Sequence, residues 1–144
     1  MATCTVPEIL GGESTLGRSL TGGGALAQLV RDGLPVKALV ELAERLNLRQ
    51  AEISEKIGIS QRTLTRRIAH HSRLTASESD RIVRFAQVYS NAVETLGSPQ
   101  RAADWLKTPN RTLRGGRPFD QLDTDPGVRE VEDLLGRIAY GVYS

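Results

Sequence analysis

Four side chains, Gln61, Arg62, Thr65 and Arg66, are spaced to share one side of an α-helix. An amide, a hydroxyl and two guanidinium forks are the groups that hydrogen-bond base edges in the DNA major groove. Around them the charge is one-sided. No acidic residue occurs from Lys56 to Arg73, while Lys56, Arg62, Arg66, Arg67 and Arg73 are basic. Lys56, Arg67 and Arg73 are read as phosphate contacts, which position a helix without specifying sequence. Ser60, just before the helix, is read as its N-cap and as part of the same surface.

Presenting that face requires two helices and a tight turn. Residues 47–70, NLRQAEISEKIGISQRTLTRRIAH, supply them. Leu48, Ala51, Ile53 and Ile57 make the first helix amphipathic, Gly58 can take the left-handed backbone that ends it, and Ile59 fills the turn. Leu64 and Ile68, four apart, bury the back of the second helix. Gln50, Ile53, Ile57, Gly58, Ile59, Ser60 and Leu64 fit the helix-turn-helix pattern of phage-repressor-like units. Ser54 departs from it, standing where a smaller Ala usually lets the helices approach. The alternative is an ordinary helical hairpin with a solvated basic face.

The remaining elements are helical too, and the fold class expected is all-α. Aromatic residues are 4% of the 144-residue chain, and β-branched residues do not alternate in runs. Residues 1–24, rich in Gly, Ser and Thr, are expected as a flexible tail in which Val6, Ile9 and Leu10 pack locally or meet a partner. Its glycines lack the following Lys-Ser/Thr of a phosphate loop. A helix is expected from Ala25 to Arg31 and another from Pro35 to Asn47, with Val36, Leu39, Val40, Ala43 and Leu46 on one face. Thr75 and Glu78 form a capping box for a long helix reaching Leu96. Its stripe of Ile82, Phe85, Ala86, Tyr89, Val93 and Leu96 completes the N-terminal core, with a dimer seam as a further use. Ser98-Pro99 restarts a helix carrying Ala102, Trp105 and Leu106, where Trp105 is either core or interface anchor. Residues 111–126 are expected as a loop pinned by Leu113, Phe119 and Leu122, and Asp125 as the cap of a last helix with Val128, Val131, Leu134, Leu135 and Ile138 inward. Gly136 inside that helix costs about 1 kcal/mol against alanine, which suggests a close approach there. The domains expected are therefore a tail at 1–24, a helix-turn-helix and dimerisation domain at 25–97, and a small helical domain at 98–144.

Several chemistries find no support. The single Cys4 allows no internal disulfide, and with His70 and His71 it makes no regular metal spacing. Asp120, Asp123 and Asp125 lack the Gly and distal Glu of an EF-hand and read as turn and cap residues. No nucleophile–base pair is apparent, so no catalytic residue, cofactor or metal is expected. Neither a membrane span nor a signal peptide is legible, and a cytoplasmic protein is the expectation. The net charge of +2 hides an asymmetry: residues 1–74 hold ten Lys/Arg against seven Asp/Glu, while residues 101–144 hold seven of each. A locally basic part beside a neutral one implies two jobs.

The neutral part carries a resemblance. Trp105-Leu106, Pro109-Asn110, Leu113, Gly115-Gly116, Pro118, LDTDPG at 122–127 and VEDLLGRIAYGVYS at 131–144 resemble the Xre/MbcA/ParS-type antitoxins, whose toxins are RES-domain proteins. The helix-turn-helix and LTASESDRIVRFAQ at 74–87 match the same layout. The departure is Asp125-Pro126, where the family more often has an acidic residue directly before Gly127. The resemblance implies a dimer that neutralises a toxin acting on NAD⁺, with the C-terminal domain covering the toxin's active-site entrance. It also implies repression of the chain's own operon through operator DNA. Toxin contacts are then expected at Trp105, Arg137, Tyr140, Gly141, Val142, Tyr143 and Ser144. Arg137 and Tyr140, three apart, form an Arg–aromatic anchor set, and Arg137 has the charge to enter a pocket built for phosphates. The competing readings are a solvated Arg137 at a helix end, a stand-alone regulator whose C-terminal half serves dimerisation or binds an effector, and an adaptor with a degenerate helix-turn-helix.

Overall fold

The helix that organises the chain is the one opened by Thr75. Thr75 Oγ1 accepts from the Glu78 N–H at 3.1 Å, and the Glu78 carboxylate accepts from the Thr75 N–H at 2.8 Å. In the computed structural model, which describes residues 5–141, this helix runs over Ala76–Leu96. Helices precede it at Val6–Ile9 (α1), Gly12–Leu16 (α2), Ala25–Asp32 (α3), Val36–Leu46 (α4), Gln50–Ile57 (α5) and Gln61–His70 (α6). The long helix is α7, and Pro99–Lys107 (α8) and Asp125–Ala139 (α9) follow. Short 3₁₀ turns occupy Arg111–Leu113 and Pro118–Gln121. Among the described residues there is no strand, only an isolated bridge between Pro35 and Arg73. The fold is all-α, with a helix-turn-helix unit first and a smaller helical part after it.

Helix α7 packs against α1, α3, α4, α5, α8 and α9. Its buried arc is accordingly wider than one stripe. Val83, Val88 and Ala92 join Ile82, Phe85, Ala86, Tyr89 and Val93 in one continuous core. Even Ser79 is buried, and its hydroxyl accepts from the Leu34 N–H at 2.8 Å. The apolar arc that could have served a dimer seam is thus largely consumed inside the chain.

The expected flexible tail at 1–24 is corrected over the part described. Thr5 caps α1, and Ile9, Leu10 and Leu16 are fully buried against α4 and α7. Arg45 donates to the Glu8 carbonyl at 3.2 Å, and Arg18 pairs with Asp32 at 2.9 Å, closing the strap onto α3. Three large aliphatic side chains leaving water stabilise by roughly 1.5–3 kcal/mol each, a part of what offsets the cost of ordering a glycine-rich stretch.

Elsewhere the boundaries shift by a residue or two. Helix α4 begins at Val36 after Pro35 and ends at a left-handed Asn47. The cap of α9 is Thr124, whose hydroxyl accepts from the Gly127 N–H at 3.1 Å, so Asp125 lies inside the first turn beside Pro126. Leu113, Phe119 and Leu122 are all buried and pin residues 111–126 to the body, as their apolar character predicts. At Gly33 no side chain fits, because φ is +95° and a Cβ would lie 2.3 Å from the Leu74 carbonyl oxygen.

Candidate functional site

The turn between α5 and α6 follows from three residues. Gly58 takes a left-handed φ of 84°, Ile59 is buried, and the Thr63 N–H donates to Ser60 Oγ at 3.1 Å. Ser54 is accommodated by donating its hydroxyl to the Ala51 carbonyl at 3.1 Å. Leu64 is fully buried and Ile68 packs against the core, which fixes the rotation of α6. Gln61, Arg62, Thr65 and Arg66 are all exposed on the outer side. None of the four makes a side-chain bond to another described residue, so both guanidinium forks are open to a ligand.

The other cations read from the sequence are engaged within the chain. Arg67 Nη1 donates to Glu78 Oε1 at 2.5 Å, so one carboxylate both caps α7 and clamps α6. Burial pushes that carboxyl up, but the Thr75 N–H and Arg67 outweigh it, leaving Glu78 below its ordinary pKa. Arg73 Nη1 donates to the Gly33 carbonyl at 2.6 Å while remaining exposed. Lys56 sits 3.3 Å from Asp120 Oδ1 and lies over the Phe119 ring. These roles were not legible from the run of basic residues, because the partners, two carboxylates and the Gly33 carbonyl, lie outside it.

The second surface is the outer side of α9. Val131, Leu134 and Leu135 face inward. Arg137 is exposed and lines a groove of about 650 Å³ with Arg114, Gln121, Arg129, Glu130 and Asp133. Arg114 spans part of it, donating to both oxygens of Glu130 at 3.1 and 3.0 Å. That pairing draws Glu130 below and Arg114 above their ordinary pKa values. Tyr140 follows the last turn and is 87% exposed, the one large hydrophobic group left out in solvent among the described residues. Trp105 is half-buried against the core on α8 and does not line the groove. Gly141 is exposed; Val142, Tyr143 and Ser144 lie outside the described residues. A Cβ at Gly136 would meet nothing within 4 Å, so no close approach among the described residues accounts for that glycine.

The displaced carboxylates Asp32, Glu78, Asp120 and Glu130 are all lowered, and Arg114 and Arg117 are raised. Every shift favours the charged form, as ion pairs do, and none poises a group for proton transfer near neutrality. Among the described residues no three His, Cys, Asp or Glu side chains converge as metal ligands, and no helix is long and apolar enough to cross a membrane.

Both halves of the chain match known antitoxin domains. Residues 25–87 match the antitoxin Xre-like helix-turn-helix domain, and residues 91–141 match the antitoxin Xre/MbcA/ParS C-terminal toxin-binding domain. One match ends and the other begins inside α7. The antitoxin Xre of Yersinia enterocolitica is 35% identical over 130 residues, covering 90% of this chain and 88% of that protein. That of Photorhabdus laumondii is 34% identical over 131 residues, covering 90% and 88%. A chain in the crystal structure of the M. tuberculosis MbcT–MbcA toxin–antitoxin complex superposes with a TM-score of 0.56 at 25% identity, covering 76% of this chain and 96% of that one. With both halves matched and two relatives covered over most of their length, the chain belongs to the Xre family of antitoxins.

Proposed function

We propose that the chain neutralises a cognate RES-domain toxin acting on NAD⁺, and represses its own operon through operator DNA. The observation that carries this reading is the pairing of two partner-free surfaces on one core. They are the Gln61–Arg66 face of α6 and the Arg137–Tyr140 end of α9, the latter inside the toxin-binding match. In this reading Gln61, Arg62, Thr65 and Arg66 read bases, a bidentate Arg–guanine pair being worth about 1–3 kcal/mol of discrimination. Ser60 and the exposed Arg73 lie at the two ends of the unit, in reach of phosphates. One recognition helix buries too little surface for tight binding, so the chain acts as a dimer on a two-fold site with half-sites about 34 Å apart. Helix α9 and the residues after it enter the toxin's active-site mouth, where Arg137 supplies the positive charge that substrate phosphates would otherwise meet. In this reading the chain meets both operator and toxin in the cytoplasm.

Removing the residues after Leu135 tests the division of labour. The shortened chain is expected to lose protection of cells expressing the toxin while still shifting operator DNA. Arg62→Ala with Arg66→Ala should do the reverse. Loss of protection in that double variant would refute the separation of the two surfaces. Unaltered protection by the shortened chain would refute the toxin-binding assignment.

A further inference from the structure

The 3₁₀ turn Pro118–Gln121 is gripped from two sides. Toward α5, Asp120 Oδ1 meets Lys56 Nζ at 3.3 Å, and Arg117 Nη1 approaches Glu52 Oε2 at 3.8 Å. Within the turn, Arg117 donates twice to Asp120, at 2.9 and 2.8 Å. The result is a chain of four alternating charges, Glu52, Arg117, Asp120 and Lys56, whose Glu52 end is shared with the exposed Arg49 at 3.5 Å. All four side chains are one-quarter to one-third exposed. Phe119 seats the chain: Lys56 Nζ lies 5.9 Å and the Arg117 guanidinium carbon 5.6 Å from its ring centroid. The buried edge of that ring meets Phe85 of α7, with centroids 5.9 Å apart and planes at 71°. On the other side, Gln121 lines the α9 groove, and its carbonyl oxygen presses on the backbone at Gly127.

The same four-residue turn therefore touches α5 of the helix-turn-helix and the wall of the groove. Helix α5 has two large apolar side chains, Ile53 and Ile57, and buries both. The ionic contacts on its flank, Lys56–Asp120 and Arg117–Glu52, add to what holds it. Helix α6 follows after Gly58, Ile59 and Ser60, so a change in α5 re-aims Arg62 and Arg66.

We propose that Glu52, Arg117, Asp120 and Lys56, seated on Phe119, form a positioning latch through which occupation of the α9 groove sets operator affinity, and that Lys56 serves this latch rather than a DNA phosphate. The proposal rests on the functional reading above, with the toxin in the groove. Linkage makes it reciprocal: the factor by which toxin changes operator affinity equals the factor by which operator changes toxin affinity.

The test uses the full-length chain, a fluorescent operator duplex and a catalytically dead toxin, with affinities measured across a salt series. The variants are Asp120→Asn, Lys56→Met and both together. Asp120→Asn should weaken operator binding about threefold, the effect of losing one partly exposed ion pair. Simple charge addition predicts the opposite sign, since the variant removes a negative charge from a DNA-binding chain. Lys56→Met should leave the slope of log affinity against log salt unchanged, and adding Asp120→Asn to it should cost nothing more. In each variant the toxin-dependent factor should fall toward one, with the helical circular dichroism signal intact at the assay temperature. A slope reduced by about one in Lys56→Met would put that lysine on a phosphate and overturn the latch. So would tighter operator binding by Asp120→Asn, or an undiminished toxin-dependent factor. A parent chain that binds both partners with a factor of one refutes the latch alone, whereas one that binds no RES-domain toxin or no operator refutes the functional reading beneath it.

Discussion

Two glycines nine residues apart in α9 should respond oppositely to the same substitution. At Gly127 an added Cβ would lie 1.8 Å from the Gln121 carbonyl oxygen, 2.9 Å from its carbonyl carbon and 3.0 Å from Thr124 Oγ1. Real Cβ contacts essentially never fall below 3.0 Å, so the start of α9 and the turn at Gln121 must separate by more than 1 Å. Both neighbours nearest the Cβ are backbone atoms and cannot swing aside. The movement also strains the Thr124 cap, whose hydroxyl takes the Gly127 N–H. Overpacking of this kind costs about 1–3 kcal/mol. Gly136 sits in the same helix with nothing within 4 Å of a Cβ and no positive φ. There alanine removes only unfolded-state freedom and should stabilise by about 0.5–1 kcal/mol. For a chain of this size, Gly127→Ala should melt roughly 4–8 °C lower and Gly136→Ala about 2–3 °C higher, followed by circular dichroism and checked by urea titration. A Gly127→Ala protein as stable as the parent would show that α9 and the turn are not in contact as described. A Gly136→Ala protein that melts lower would show that the open space beside Gly136 is filled.

Gly136→Ala should nevertheless weaken toxin binding, measured by calorimetry, if the toxin packs closely on that side of α9; stability and affinity then move in opposite directions. Leu64→Ala should cost about 2–5 kcal/mol in urea unfolding, because this fully buried side chain holds α6 to the body. Glu78 binds its proton less readily in the fold than in the unfolded chain, so its contribution is complete above its ordinary pKa of 4.5 and is lost as pH falls through the lower folded value. Glu78→Gln should flatten the acid limb of a stability-against-pH curve, and an unchanged limb would dissociate the Arg67–Glu78 pair from acid unfolding.

Where local rules act, the elements were legible. Ser60, Thr75 with Glu78, and Ser98 with Pro99 each start a helix where their capping chemistry places it. The open face of α6 was visible because its spacing and polarity are complete within six residues. The strap α1–α2 was hidden by composition, since glycine content argued for disorder while Ile9, Leu10 and Leu16 are too few to show a period. Ion pairs were invisible for a different reason. Lys56 meets Asp120 and Arg67 meets Glu78 only after the chain folds back, so a basic run that looked free for phosphates proved partly committed. Asp120, read as turn chemistry, turned out to join two parts of the molecule.

Helix α7 has a consequence for inheritance. The helix-turn-helix match ends at residue 87 and the toxin-binding match begins at 91, so the seam between them crosses the buried Val88, Tyr89, Ala92 and Val93 of a helix packed against elements of both. Close-packed interiors tolerate poorly the meeting of surfaces that did not evolve together. Gene fusions that exchange one half between relatives would join mismatched walls at that seam. Operator choice and toxin choice are therefore expected to descend as one unit, diversifying on the exposed outer sides of α6 and α9 while the helix between them stays fixed.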